Sequence, residues 1–406
     1  MSHTIVVDLG YGDAGKGRVV DLLCAEPGVE AVVRFNGGAQ AAHNVVLPDG
    51  RHHTFAQFGA GTFRGVPTHL SRFVVVDPLA LAAEAAHLVT VGVPDPFALL
   101  TVDEDALLAT PWHAAANRVR ERRRGAARHG SCGLGVGETV AYALAHPGDA
   151  PRVGDVFHPA RLRQRLAAVR DRLTAAVGPL PAPDVDAVLA VFAAFRDAVR
   201  IVGPGFLGDA LRRGPCVFEG AQGVLLDEWF GWHPHTTWST TTFANALELL
   251  AGAPARRLGV VRTYTTRHGA GPLVTEDPSL RLPEPHNGTG EWQGAFRRGH
   301  FDAPAHRYAV EVCGGVDALA VTHLDVPPEV EICTSYRELD RIPVGRRGDL
   351  EAQERLTAAL LRTSVGERYR PDDWPAAVES ELGVPVVLGT DSPRGAPAFS
   401  RDTITA

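Results

Sequence analysis

Cysteine is scarce and scattered in this chain of 406 residues: Cys24, Cys132, Cys216, Cys313 and Cys333 are odd in number and nowhere form a C-x-x-C pair. That spacing argues against a disulfide framework and against a zinc site, and it fits a reduced compartment. No apolar stretch approaches the roughly 18 residues of a membrane span, and no basic-then-apolar leader precedes the first strand-like run at Thr4. A cytoplasmic protein is therefore expected, without membrane attachment. Nor is there an excess of positive charge. With 40 Lys and Arg against 47 Asp and Glu the net charge is -7, so nothing draws the whole molecule to nucleic acid. The arginine-dense run Arg118 to Arg128 reads as a solvated helix face rather than a nucleic-acid patch. What is present is ample apolar material, 45% of the residues, enough for a large core.

Short β-branched runs alternate with Ala/Leu-rich helical stretches. Strands are expected at Thr4 to Leu9, Ala31 to Phe35, Phe73 to Val76, Arg200 to Val202, Cys216 to Glu219, Leu258 to Val261, Ala318 to Thr322 and Val386 to Leu388. Such alternation predicts an α/β fold, a mainly parallel central sheet with flanking helices and ligands at the carboxyl ends of the strands. Ala160 to Ala198, helical in period and broken by prolines at Pro179 to Pro183, reads as a helical insertion around residues 155–200 within a single domain spanning 1–406.

The most informative segment is Asp8-Leu-Gly-Tyr-Gly-Asp-Ala-Gly-Lys-Gly-Arg18. Gly10 to Lys16 satisfies the G-x-x-x-x-G-K spacing between a strand and a helix, where backbone N–H groups cradle phosphate oxygens and the lysine adds a point charge. Phosphate loops of this kind place Ser or Thr after the lysine to hold magnesium, but here the residue is Gly17. Asp13, inside the loop, is the candidate replacement: a carboxylate among anion-binding amides implies either a cation beside it or a proton to remove.

Four more segments end strands in small and polar residues. Arg34-Phe-Asn-Gly-Gly-Ala-Gln-Ala-Ala-His-Asn44 carries His43, able to give or take a proton near neutrality. Phe218-Glu-Gly-Ala-Gln-Gly-Val-Leu-Leu-Asp227 sets the Gln222 amide between glycines, suited to a flat heterocycle, and is followed by the hydroxyl-rich Pro234 to Thr242. Val261 to Pro272 is hydroxyl-rich and cationic, and Thr322-His-Leu-Asp325 ends a strand on a carboxylate that can face the N1–H and N2–H₂ edge of guanine.

Taken in order, these segments resemble the adenylosuccinate synthetase family from Val6 to about Arg394. The family loop W-G-D-E-G-K-G-K is similar to Tyr11 to Arg18, and G-G-H-N-A-G-H-T to Gly37 to Asn44. F-E-G-A-Q-G-x-L-L-D stands intact at 218–227, Y-T-T-R-x-G-x-G-P at Tyr264 to Pro272, and T-K-L-D as Thr322 to Asp325. The resemblance implies a P-loop-like GTP-binding ligase fold and a two-step ligation. Asp13 takes the N1 proton of a 6-oxopurine, O6 attacks the γ-phosphate of GTP, His43 hydrogen-bonds the phosphates as a general acid, Lys16 stabilises the charge, and the amine of aspartate displaces phosphate from C6. It further implies Mg2+ on Asp13 and the Ala42 carbonyl; GTP on Gly12, Gly15, Lys16, Gly17, His323 and Asp325; an IMP-like nucleotide on Gln40, Ser131, Cys132, Gln222 and Thr237; the amine donor on Thr289, Arg267, Arg297 and Arg298; and a homodimer.

The departures are equally specific. The family's dicarboxylate loop T-T-G-R-x-R-R-x-G-W is matched only by Thr289-Gly-Glu-Trp-Gln-Gly-Ala-Phe-Arg-Arg-Gly-His300, in which the first arginine is gone and Glu291 adds negative charge. Gln40 stands for an Asn, Cys132 for a Thr and His323 for a Lys. A paralogue of specialised metabolism, with another nucleotide or amine donor, is therefore the alternative expectation. ATP in place of GTP also stays open, and a GTP switch without ligase chemistry is the remaining reading.

Overall fold

In the computed structural model, described for residues 2–125, 128–282, 284, 287–391 and 397–400, the chain forms a ten-stranded sheet flanked by helices. Its strands are β1 (His3–Asp8), β2 (Ala31–Arg34), β3 (Thr68–Leu70), β4 (Leu100–Asp103), β5 (Arg200–Val202), β6 (Cys216–Glu219), β7 (Ala255–Arg262), β8 (Ala318–Thr322), β9 (Val386–Gly389) and β10 (Phe399–Ser400). They lie in the order β10-β9-β8-β7-β1-β6-β2-β3-β4-β5, and only the β9–β10 pair is antiparallel. Because strand side chains alternate, Val6 packs into the core on one face while Ile5 and Val7 pack into the core on the other. The end of the family resemblance, Arg394, lies outside the described residues.

Most of the expected strands are present, with two differences. Phe73 to Val76 does not join the main sheet; only Val75–Val76 is a strand, and it pairs with Leu107–Leu108. β3 and β4 take that place instead. The Ala160 to Ala198 segment forms two helices, Pro159–Val177 and Val185–Ala198, which bury Leu162, Leu166, Val169, Val188 and Phe192. Among the described residues no helix is long and apolar enough to cross a membrane.

The parallel strands bring charged ends to one edge. Register sets Glu219 of β6 beside Val6 of β1 and Arg34 of β2, and Arg262 of β7 beside Thr322 of β8. That edge carries the candidate site.

Two histidines away from it are buried neutral. Burial pushes His69 down to about 4 and His113 down to about 3, and His113 Nδ1 accepts from the Thr110 backbone N–H at 3.2 Å in the cap of the helix Pro111–Arg124. Unfolded, each titrates near 6.5, so the unfolded chain binds more protons below that pH and stability is lost as pH falls from about 6.5 toward 4, by about 1.4 kcal/mol per pH unit for each group. Asp302, pushed up to about 6 by burial, opposes this, as do Asp77, Asp103, Glu138, Asp227 and Glu228, which burial also raises, while His43 and His235, both pushed down to about 4, add to it. The loss of melting temperature from pH 7 to pH 5 is therefore expected to be smaller in His69→Gln than in the parent; an unchanged loss would contradict the neutral burial of that ring.

Candidate active site

β1 ends at Asp8, whose carboxylate organises the loop that follows. Oδ1 accepts the backbone N–H groups of Gly10 (2.8 Å) and Gly12 (3.3 Å), and Oδ2 accepts that of Ala14 (2.9 Å) and the Lys16 ammonium (2.9 Å). The helix Lys16–Ala25 then starts behind Gly15, which adopts φ 92°, with no side chain capping its first N–H groups. Those free donors and the helix dipole form an anion cradle. Asp8 was assigned no role from sequence, yet its place at the strand end, eight residues before Lys16, was the available signal.

The absent hydroxyl after the lysine has a packing cause. A Cβ on Gly17 would lie 2.9 Å from His43 Cβ and 3.0 Å from the His43 carbonyl carbon, because the strand His43–Val46 crosses directly over the start of the helix. Gly17→Ser is therefore expected to lower stability by about 1–3 kcal/mol through overpacking and to lower activity by displacing His43. Thermal melts and steady-state rates would check this; a variant as stable and active as the parent would show that the approach is not needed.

Asp13 sits at φ 60°, and its backbone carbonyl accepts from Arg262 Nη1 at 3.0 Å. Its carboxylate, 27% exposed, lies 3.4 Å from His268 Nε2. Burial opposes ionisation of Asp13, but the hydrogen bond and charge of His268, with Lys16 and Arg262 beyond, hold the carboxyl below its ordinary range. His268 is raised in turn, Asp13 outweighing its burial. His268, which the sequence does not single out, stands at the first of the two unspecified positions of the Tyr264 to Pro272 motif.

His43 is anchored from the opposite side. Its Nδ1 is 2.6 Å from Glu219 Oε1, while Glu219 Oε2 accepts from the Ala60 backbone N–H at 3.0 Å. Although buried, Glu219 is held ionised by Arg34 and His43, so it can only accept and His43 Nδ1 carries the hydrogen. Burial pushes the ring down to about 4. Nε2 is therefore the nitrogen left for a ligand. Glu219 is a third residue, after Asp8 and His268, that the sequence does not single out, though it lies within the intact F-E-G-A-Q-G stretch.

Asp13, Lys16, His43 and His268 line a cleft of about 1410 Å³, joined there by Gln40, Ala42, Ser131, Cys132, Gln222, Thr237, Thr289, His323 and Asp325. Gln40 exposes neither amide atom to solvent or to a partner, and Gln222 Oε1 is likewise buried and unpaired. Two unsatisfied amides on one wall point to a polar ligand that completes their hydrogen bonds. Asp13, Gln222 and His323 are also three of the four non-glycine residues held at positive φ among the described residues, the kind of backbone strain found where a site is preorganised. Ser131 donates to Asn117 Oδ1 at 3.0 Å, and burial raises the Cys132 thiol, keeping it neutral. Thr322 Oγ1 bonds the Ala14 carbonyl at 2.7 Å, tying the strand end before Asp325 to the loop.

The arginines expected for the amine donor are differently engaged. Arg267 is buried, donating to the carbonyls of Ala270 (2.9 Å), Pro272 (3.2 Å) and His235 (3.1 Å), with its guanidinium 4.5 Å over the Tyr11 ring. Arg297 pairs with Glu276 at 2.9 Å and donates to Gly269 and Gly271 carbonyls at 3.1 and 2.8 Å. Neither Arg297 nor Arg298 lines the cleft.

Residues 5–359 match the family model described as adenylosuccinate synthetase. An adenylosuccinate synthetase of Magnetococcus marinus is 34% identical over 427 residues, 97% of each chain. One from Marinomonas sp. is 31% identical over 98% of each, and one from Neisseria gonorrhoeae is 33% identical over 86% of this chain and 82% of its own. Among solved structures, the fully ligated adenylosuccinate synthetase of Plasmodium falciparum superposes with a TM-score of 0.82 at 20% identity, covering 97% of this chain and 98% of that one. The succinoaminodeoxyadenylate synthetase of cyanophage S-2L, bound to dGMP and to dATP as an energy donor, superposes with a TM-score of 0.58 at 21% identity over 94% and 98%. With its phosphate loop, its Asp13 and His43 pairings and relatives matching nearly end to end, the chain belongs to the adenylosuccinate synthetase family.

Proposed function

We propose that this protein is a GTP-dependent carbon–nitrogen ligase that phosphorylates the 6-oxo group of IMP or a related purine nucleotide and replaces it with an amine. The observation that carries the reading is Asp13: an ionised carboxylate inside an anion-binding loop, facing the cleft beside the unpaired Gln222 amide. A 6-oxo group is a poor leaving group, and capping it with a phosphoryl corrects that. Asp13 takes the N1 proton as O6 attacks the γ-phosphate; a carboxylate this acidic removes that proton efficiently only in concert with the attack. Lys16 and the loop amides hold the transferred charge, and anionic oxygens near Nε2 favour a protonated His43 as hydrogen-bond donor. Gln222 and Gln40 read the nucleotide, Ser131, Cys132 and Thr237 hold its phosphate, and His323 and Asp325 contact the guanine of GTP.

Magnesium fits the residues present. Mg2+ needs only one or two protein oxygens beside substrate phosphates, and Asp13 with the Ala42 carbonyl, both residues of the cleft wall, would supply them; bound there, the ion would neutralise phosphate charge. The family's name implies aspartate as donor, giving adenylosuccinate or an analogue. The second reading, an altered donor, is favoured by the engagement of Arg297 with Glu276. A cytoplasmic homodimer completes the proposal.

The test is isotope exchange. GTP carrying oxygen-18 at the β–γ bridge, incubated with Mg2+ and IMP but no amine, is expected to scramble its label into the β non-bridging positions. Scrambling that is absent with every 6-oxopurine nucleotide would overturn the reading.

A further inference from the structure

We infer that the amine donor of this enzyme is a primary amine bearing no second carboxylate, a neutral amino acid or simple amine, rather than a dicarboxylic amino acid. The inference rests on the ligase reading above. A donor with two carboxylates must find two cationic partners in a cleft that already has to take a nucleotide phosphate and a triphosphate, because buried unpaired carboxylates are strongly disfavoured. Among the described residues the cleft is lined by six Lys or Arg side chains against seven Asp or Glu, so it holds no surplus positive charge.

Near the proposed donor wall Arg262, Arg267 and Arg297 are already committed, and Arg298, whose Nε is buried without a partner, does not line the cleft. Arg262 is paired with Glu284 at 2.6 Å, both side chains buried, and packs 3.9 Å over the Tyr264 ring. Arg267 has its three nitrogens on backbone carbonyls. Arg297, where bidentate recognition of a carboxylate would be needed, binds Glu276 with two nitrogens and two carbonyls with the third. Releasing it would break an ion pair and orphan those carbonyls.

The loop that follows Thr289 is fixed in this shape. Arg128 holds the Glu291 carbonyl at 3.2 Å, Arg122 lies 5.0 Å over the Trp292 ring, and Gly269 donates to the Ala295 carbonyl at 2.9 Å. A Cβ at Gly269 would come within 2.3 Å of the Gln293 carbonyl oxygen, so the loop seats directly on the end of the strand Thr265–His268. The wall it leaves toward Asp13 is made of His268, Asn287, Thr289 and Gln293. The one ring there that can carry charge, His268, already faces Asp13 at 3.4 Å; the amides and the hydroxyl can hold one α-carboxylate by neutral hydrogen bonds, but they offer nothing to a second negative charge. In the second step the amine nitrogen bonds C6, the C6–O bond breaks with its electron pair leaving on phosphate, and one amine proton goes with the departing phosphate.

The experiment incubates the purified full chain with IMP, GTP and Mg2+ and, separately, L-aspartate, L-glutamate, L-alanine, L-serine, L-asparagine, ethanolamine or ammonium, reading the 6-substituted nucleotide by mass spectrometry and kcat/KM from phosphate release. At least one amine without a second carboxylate is expected to exceed aspartate by tenfold or more. If no such amine exceeds aspartate while GTP label scrambling proceeds, the donor inference falls and the ligase reading stands. If scrambling itself is absent, both fall.

Discussion

Asp13→Ala is expected to lower kcat by about 10²–10⁴-fold, the usual cost of removing a positioned proton acceptor, with the nucleotide KM changing far less. The structure gives a reason for both halves. The Asp13 carboxylate faces the cleft, but its backbone carbonyl is what Arg262 holds and its φ of 60° is set by the loop. Truncation therefore removes the base without collapsing the cradle, which Asp8 organises independently through Gly10, Gly12, Ala14 and Lys16. Asp13→Asn separates charge from shape, and it should lose the same rate while keeping the fold. Steady-state kinetics with a melting curve for each variant checks this; activity within tenfold of the parent in both would show that another group takes the proton.

The second large effect is at His43. His43→Ala is expected to cost about 10²–10³-fold in the phosphoryl-transfer step, comparable to losing one preorganised donor to a developing oxyanion, and it should suppress label scrambling as strongly as turnover. It also strands Glu219, a fully buried carboxylate that would keep Arg34 and the Ala60 N–H but lose its imidazole partner. His43→Ala should thus be less stable than the double variant His43→Ala with Glu219→Gln, which removes the orphaned charge, whereas neither regains activity. Scrambling preserved in His43→Ala would confine the ring to a structural role.

What was legible in the sequence was local. The phosphate loop could be read because glycines and lysine at fixed spacing between a strand and a helix constrain one another within a dozen residues. The Pro179 to Pro183 break likewise marked the turn between two real helices. Short strands with polar buried residues were not legible: β3 is Thr-His-Leu, and its buried His69 gives no period-two signal. The apolar run at Phe73 to Val76 looked more strand-like than β3, yet it packs against Leu107–Leu108, since hydrophobicity fixes burial but not partner. In the site, the residues themselves could be named but their pairings could not. His43 and Glu219 are 176 residues apart, and the Asp13 contact with His268 exists only because β1 and β7 are neighbours in the sheet. The reach of Arg297 back 21 residues to Glu276 is likewise set by the fold, and it decides whether a guanidinium written in the sequence is available to a ligand.

The most direct measurement is a crystal structure with a 6-oxopurine nucleotide and a non-hydrolysable GTP analogue bound. The account predicts N1 of the purine within about 2.6–3.2 Å of an Asp13 carboxylate oxygen, the range for a productive proton transfer, with Gln222 on the same heterocycle. A nucleotide seated with its ring away from Asp13, and that carboxylate still turned to His268, would contradict it.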